Sequence, residues 1–182
     1  MSKAVMLSIR PKWCEKIISG EKTVEVRKNR PKLETPFKCY IYCTLQGCNE
    51  FFRVDLGRDV AKWNRGKWAY RKGNVIGEFT CDRIFPINVF DNGSIQNWFF
   101  EHMERSCLTY EELADYIGND RTGRGWHISN LKIYDAPREL SEFERPYECN
   151  ECDAKWASEC NACHEEGKIK RPPQSWCYVE DI

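Results

Sequence analysis

The 182-residue chain lacks a net charge, since 28 Lys and Arg stand against 28 Asp and Glu, and it lacks any apolar run of bilayer length. Its longest uncharged stretch, Cys39–Asn49, is 11 residues, whereas a spanning helix needs roughly 18 to 20 apolar ones, so a transmembrane protein is not expected. Residues 1–10 contain no extended apolar segment leading to a small-residue cleavage site. A secretory signal is therefore not expected either, and the compartment is expected to be the reducing cytoplasm. No internal repeat is visible, which argues against a solenoid. What the chain has in quantity is cysteine, 11 residues. An odd, large number in a reducing setting argues for metal ligands and buried thiols over a disulfide framework. The 24 aromatic residues, 7 Trp, 8 Tyr and 9 Phe, suffice for a core and speak against intrinsic disorder.

The neutral total hides a split. Residues 1–72 carry 17 Lys and Arg against 7 Asp and Glu, a balance of +10, and residues 73–182 carry the opposite balance, 11 against 21. Within the basic part, Arg53, Arg58, Lys62, Arg65, Lys67, Arg71 and Lys72 are interleaved with Trp63, Trp68 and Tyr70. Cations neutralise phosphates and aromatic faces stack on unpaired bases, so this mixture suits single-stranded nucleic acid. A solvated loop with its Trp side chains turned inward is the competing expectation.

Strand and helix periods alternate along the chain. Ala4–Ile9 is a short apolar strand candidate, and Pro11 suits the first position of an amphipathic helix that Ser19-Gly20 would end. In 23–28, Val24 and Val26 alternate with Thr23, Glu25 and Arg27, which predicts a half-buried strand with Glu25 and Arg27 on its polar face. Residues 39–44 predict a strand whose thiols, Cys39 and Cys43, fill the core. Residues 46–74 read as a long excursion with a short helix at 60–64. Further strands are expected at 75–85, 125–134 and 175–180, and helices at 94–104 and 109–117, the latter opened by a capping box of Thr109 and Glu112. Short strands with one early helix point to an α+β fold built as a small mixed β-barrel with short flanking helices.

Near the C-terminus, Cys149 and Cys152, then Cys160 and Cys163, form two CxxC pairs separated by seven residues. Each pair can reach one ion, and together they complete a tetrahedral four-sulfur shell suited to zinc. With every position filled by protein, such a zinc is expected to be structural. His164 and Cys177 are reserve ligands, and free thiols are the alternative. The expected organisation is a barrel over residues 1–145 and a small zinc knuckle with a terminal strand over 146–182.

The run Gly20–Arg27, GEKTVEVR, fits the pattern GxKxxExR. With the preceding Leu7–Pro11 segment, the helix after it, and the later strands around Val75–Phe79 and Trp126–Tyr134, it resembles the ASCH family over roughly residues 4–145. The resemblance implies a PUA-like β-barrel and a cleft beside the first helix that engages RNA or a nucleotide, with Lys22, Glu25 and Arg27 at its polar positions. Arginine offers a planar fork to a phosphate or base edge, glutamate accepts from an exocyclic amine, and lysine adds a mobile cation. Arg10, Trp13, Lys67, Trp68, Trp63 and Trp126 are further ligand-binding candidates, the four Trp as stacking platforms. Small members of the family are amidohydrolases acting on an acylated cytidine through a Lys-x-x-Thr arrangement; here the nucleophile position holds Glu25. Other relatives are linked to ribonuclease activity, for which Lys22 and Glu25, with His127 and tyrosine residues, are the catalytic candidates. The expected partner is thus RNA or another nucleic acid, including a modified nucleotide, with no membrane partner and the oligomeric state left open. A protein-interaction module using the acidic C-terminal half is the rival from a different class.

Overall fold

A computed structural model describes residues 2–45, 51–54, 68–71, 73–89, 103–118, 121–146 and 167–182, with the backbone alone for 51–54 and 68–71. The chain opens with strand β1 (Lys3–Ile9), and Pro11 then starts helix α1 (Pro11–Ile18), where its missing N–H costs no hydrogen bond. Gly20, at φ 80°, turns the chain after α1 into strand β2 (Val24–Arg27). Strands β3 (Phe37–Cys43), β4 (Phe51–Val54), β5 (Trp68–Arg71) and β6 (Val75–Asn88) follow. A helical turn at 103–106 precedes helix α2 (Tyr110–Ile117), and the long strand β7 (Thr122–Arg138) and terminal β8 (Trp176–Glu180) complete the set. Both halves of the predicted capping box are present: Glu112 N–H donates to Thr109 Oγ1, and Thr109 N–H donates to the Glu112 carboxylate. Among the described residues no helix is long and apolar enough to cross a membrane.

Six strands form one sheet in the order β2-β7-β6-β3-β1-β8, with β1 and β3 parallel and every other pair antiparallel. A closed barrel was the expectation, and the sheet corrects it: the edge strands β2 and β8 are not paired to each other. They do approach. Arg27 at the end of β2 donates to the carbonyls of Ser8 and Ser175, so a side chain spans the seam where a closed barrel would have a backbone ladder.

The curled sheet buries both faces. Inside lie Val5, Leu7, Ile9, Cys39, Ile41, Phe79 and Trp126, joined by Cys14 and Ile17 from α1. On the outside, Phe143 and Ile169 cover Met6, Tyr40 and Val179, and Leu113 and Ile117 of α2 cover Val26, Ile87 and Val89. Gly125 lies on the outer face opposite Val26, where a Cβ would come within 2.3 Å of Phe85 Cε2. The predicted alternation along β7 holds through Ile128 and then slips: Asn130 sits at φ 49°, and beyond it Leu131 and Ile133 pack on the inner cluster.

Within the stretch expected to be an excursion, β4 and β5 pair as a two-stranded antiparallel sheet, Phe52 opposite Tyr70 and Val54 opposite Trp68. Trp63, Lys67 and the expected helices at 60–64 and over most of 94–104 lie outside the described residues. So do Cys149, Cys152, Cys160, Cys163 and His164.

Candidate ligand cleft

A cleft of about 990 Å³ opens at the seam between the two sheet edges. Its walls come from α1 and the end of β1 on one side, α2 on another, and Gln174, Ser175 and Trp176 leading into β8 on a third. The volume lies at the upper end of the range of small-molecule sites.

Three charged side chains that the motif placed in sequence converge at its floor. Lys22, Glu25 and Arg27 are 2%, 6% and 5% exposed. Lys22 Nζ stands 3.3 Å from one carboxylate oxygen of Glu25, and an Arg27 Nη stands 2.8 Å from the other. The predicted division of β2 into a core face and an open polar face is corrected here. Val26 is buried under α2, while Glu25 pairs in register with Trp126, so the charged residues share the sheet's inner face with a core indole.

The donor inventory then decides what the floor can do. An ammonium has three N–H groups. Those of Lys22 are taken by Val24 O at 2.8 Å, Ser106 O at 2.7 Å and Glu25. Arg27 commits its Nη groups to Ser175 O and Oγ, Ser8 O and Glu25. The expected mobile lysine and free guanidinium fork are therefore absent: both cations are built into the walls. Among the described residues the Arg27 Nε–H and the Thr44 hydroxyl are buried without a hydrogen-bond partner, as is the indole N–H of Trp126. Buried polar atoms are ordinarily satisfied, so these are exceptions among the described residues.

The mouth is different. Arg10 and Lys28 are exposed and have no ion-pair partner among the described residues; Lys28 Nζ lies 5.5 Å from the Tyr116 ring centre. Trp13 is half-buried on α1, with Lys22 Nζ 5.2 Å and Lys12 Nζ 4.1 Å from its ring centre. Glu112 and Asp115 of α2 face them. The Lys12 ammonium beside Glu112 holds that carboxyl below the usual carboxylate range.

Other candidates fall elsewhere. Trp126, expected as a stacking platform, is fully buried, edge-on to Phe37 at 5.7 Å and 6.1 Å from Trp176, because its strand position faces the interior. It is a core residue and offers no face to a ligand. His127, its neighbour, points to the outer face, with Nδ1 2.7 Å from Asp82 Oδ1. The backbone of Trp68 is in β5, and β4 of that hairpin runs alongside α1. Burial pushes the Cys14 and Cys39 thiols well above their usual range and Cys81 up to about 12, so these cysteines are inert core fillers. Burial raises the Cys177 thiol too, and its side chain packs on the outer cluster. Among the described residues no group of three or more His, Cys, Asp or Glu could hold a metal ion.

Trp176, Ser175 and Gln174 were not among the predicted site residues. Their place depends on β8 returning to pair with β1, Leu7 opposite Trp176, a contact across most of the chain that no local pattern announces.

The fold and cleft together define a class, a mixed α+β protein with a polar cleft at the open edge of a curled six-stranded sheet. Residues 7–51 match the model of the ASCH domain family. The crystal structure of an ASCH protein from Zymomonas mobilis is similar with a TM-score of 0.59 at 17% identity, covering 98% of this chain and 88% of that one. A tyrosine-to-phenylalanine variant of that protein gives 0.58 at 18%, covering 99% and 92%. The chain thus shares the fold of these ASCH structures. No curated protein matches it.

Proposed function

We propose that the protein binds single-stranded RNA, taking one unpaired nucleotide into the seam cleft with its base foremost. The distribution of free hydrogen-bonding groups carries this reading. At the floor the Lys22 and Arg27 cations are committed to Glu25 and to backbone carbonyls, an arrangement unsuited to gripping a phosphate and compatible with the uncharged edge of a base. At the mouth Arg10 and Lys28 are free to meet phosphates, and Trp13 supplies an aromatic platform. The ASCH fold, a family associated with RNA binding, supports the same partner. The backbone of β4, within the basic, aromatic stretch, runs alongside α1, one of the cleft walls.

Anisotropy titration with a six-nucleotide single-stranded RNA tests it. Each phosphate contact contributes a slope of about −0.7 to log affinity against log salt, so two or three contacts reduce affinity roughly tenfold between 50 and 200 mM salt. Trp13→Ala should weaken binding by a further factor of about 5 or more. A flat salt response, or an unaffected Trp13 variant, overturns the reading. Hydrolysis in the same cleft is the alternative, with Glu25 as the candidate base; turnover of modified nucleosides that is lost in a Glu25→Gln protein shown by circular dichroism to remain folded would establish it.

We also propose that Cys149, Cys152, Cys160 and Cys163 hold one structural zinc. Their spacing supports this, and so does the pairing of the flanking chain: Arg145 N–H donates to Gly167 O and Ile169 N–H to Phe143 O, each at 2.9 Å, bringing the ends of the cysteine segment together. Protein produced with added zinc should contain about one equivalent per chain, and less than about half an equivalent by elemental analysis counts against the site.

A further inference from the structure

The stacking platform of the cleft is already occupied in the ligand-free protein. Lys12 Nζ lies over the Trp13 ring, 4.1 Å from its centre. The same ammonium is 3.1 Å from Glu112 Oε1, and this is the one ion pair among the described residues that joins α1 to α2 across the cleft mouth. Lys22 approaches the indole from the buried side and the rest of Trp13 packs on the inner core, so the face a base would use is the one Lys12 covers. Glu112 is a fixed anchor, because its second carboxylate oxygen accepts from Thr109 N–H in the helix cap. Lys12 is not fixed: its side chain is 56% exposed and Glu112 is 40% exposed. Exposed pairs and exposed cation–π contacts are weak. Stacking on a base and a charge-assisted bond to a phosphate are both stronger.

We propose that Lys12 is a displaceable cap on the Trp13 platform. Glu112 holds its ammonium over the indole in the free protein; when single-stranded RNA binds, the base takes that face and the ammonium transfers from Glu112 to a phosphate of the strand. This rests on the RNA reading above and adds what the cleft must release to bind. It also makes Glu112 a brake on affinity, although it sits among the cleft walls.

Glu112→Gln tests it cleanly, because glutamine at this position preserves the capping box while removing the charge that holds Lys12. Without ligand, acrylamide quenching of tryptophan fluorescence should increase in Glu112→Gln, and the increase should vanish when Trp13→Phe is combined with it. With six-nucleotide oligouridylate, Glu112→Gln should bind about three- to fivefold more tightly. Lys12→Gln should lose about 0.7 from the salt slope, the share of one phosphate contact. Circular dichroism confirms that α2 is retained. If the wild-type protein binds the RNA and Glu112→Gln changes neither quenching nor affinity, or weakens binding, the cap is overturned while the RNA reading stands. If the wild-type protein binds no RNA, the RNA reading and the exchange fall together. The quenching comparison then still decides whether Glu112 holds Lys12 over Trp13.

Discussion

Replacing Glu25 by glutamine should lower the unfolding free energy by about 3 to 5 kcal/mol. The expectation follows from charge balance. Lys22, Glu25 and Arg27 are buried together, two cations around one anion. Removing the anion leaves one ammonium and one guanidinium largely buried side by side without a counter-ion, and the new amide presents N–H groups towards donors. Lys22→Met should be milder, since Glu25 and Arg27 remain a neutral pair and the loss falls on the carbonyls of Val24 and Ser106, at about 1 to 3 kcal/mol. Combining the two substitutions should cost less than their sum, because methionine removes one of the cations that glutamine leaves stranded. Urea titration with an unchanged m value measures all three. A Lys22→Met variant less stable than Glu25→Gln would show that hydrogen bonding to the 103–108 segment, and not the anion, governs the cluster.

That cluster also shows where sequence reading succeeds and where it stops. The GxKxxExR run is local, and its period placed Glu25 and Arg27 on one face of β2 correctly; the early strand, helix and strand are visible for the same reason, as is the α2 capping box. The error was to take that face as open. Whether a strand face is solvated depends on what the sheet curls around, and β2 is covered by α2 on one side and enclosed by the inner core on the other. The mistake over Trp126 has the same origin, since its alternation with His127 was right but which of the two faces inward is set by pairing with β2 and β6. The β4–β5 hairpin escaped because its residues mix basic and aromatic types without a clean period of two. The Trp176 wall escaped because only the long-range pairing of β8 with β1 delivers it.

The seam supplies the second large effect. A residue's N–H and C=O point to the same side of a strand. Ser8 N–H donates to Ser175 O, and Ser8 O is then left beyond the end of the β8 ladder, where an Arg27 Nη supplies the missing donor at 2.9 Å. The other Nη holds Ser175 itself. Arg27→Met should therefore cost about 2 to 4 kcal/mol through the orphaned carbonyl and lost packing, less than Glu25→Gln because Lys22 still balances Glu25. Its effect on the cleft should be larger than its effect on the core. Gln174, Ser175 and Trp176 form one wall and lose the side-chain clamp that fixes Ser175 to β2, so affinity for the six-nucleotide RNA should fall severalfold. Arg27→Lys keeps a charge for Glu25 but has no fork to span Ser8 and Ser175, and should fall between. Amide hydrogen exchange separates the local effect from the global one: in Arg27→Met the Ser8 amide should lose protection well before Val5 and Leu7 in the middle of the sheet. If Ser8 exchanges no faster than they do, the edges are held together by backbone pairing alone and Arg27 is only the partner of Glu25.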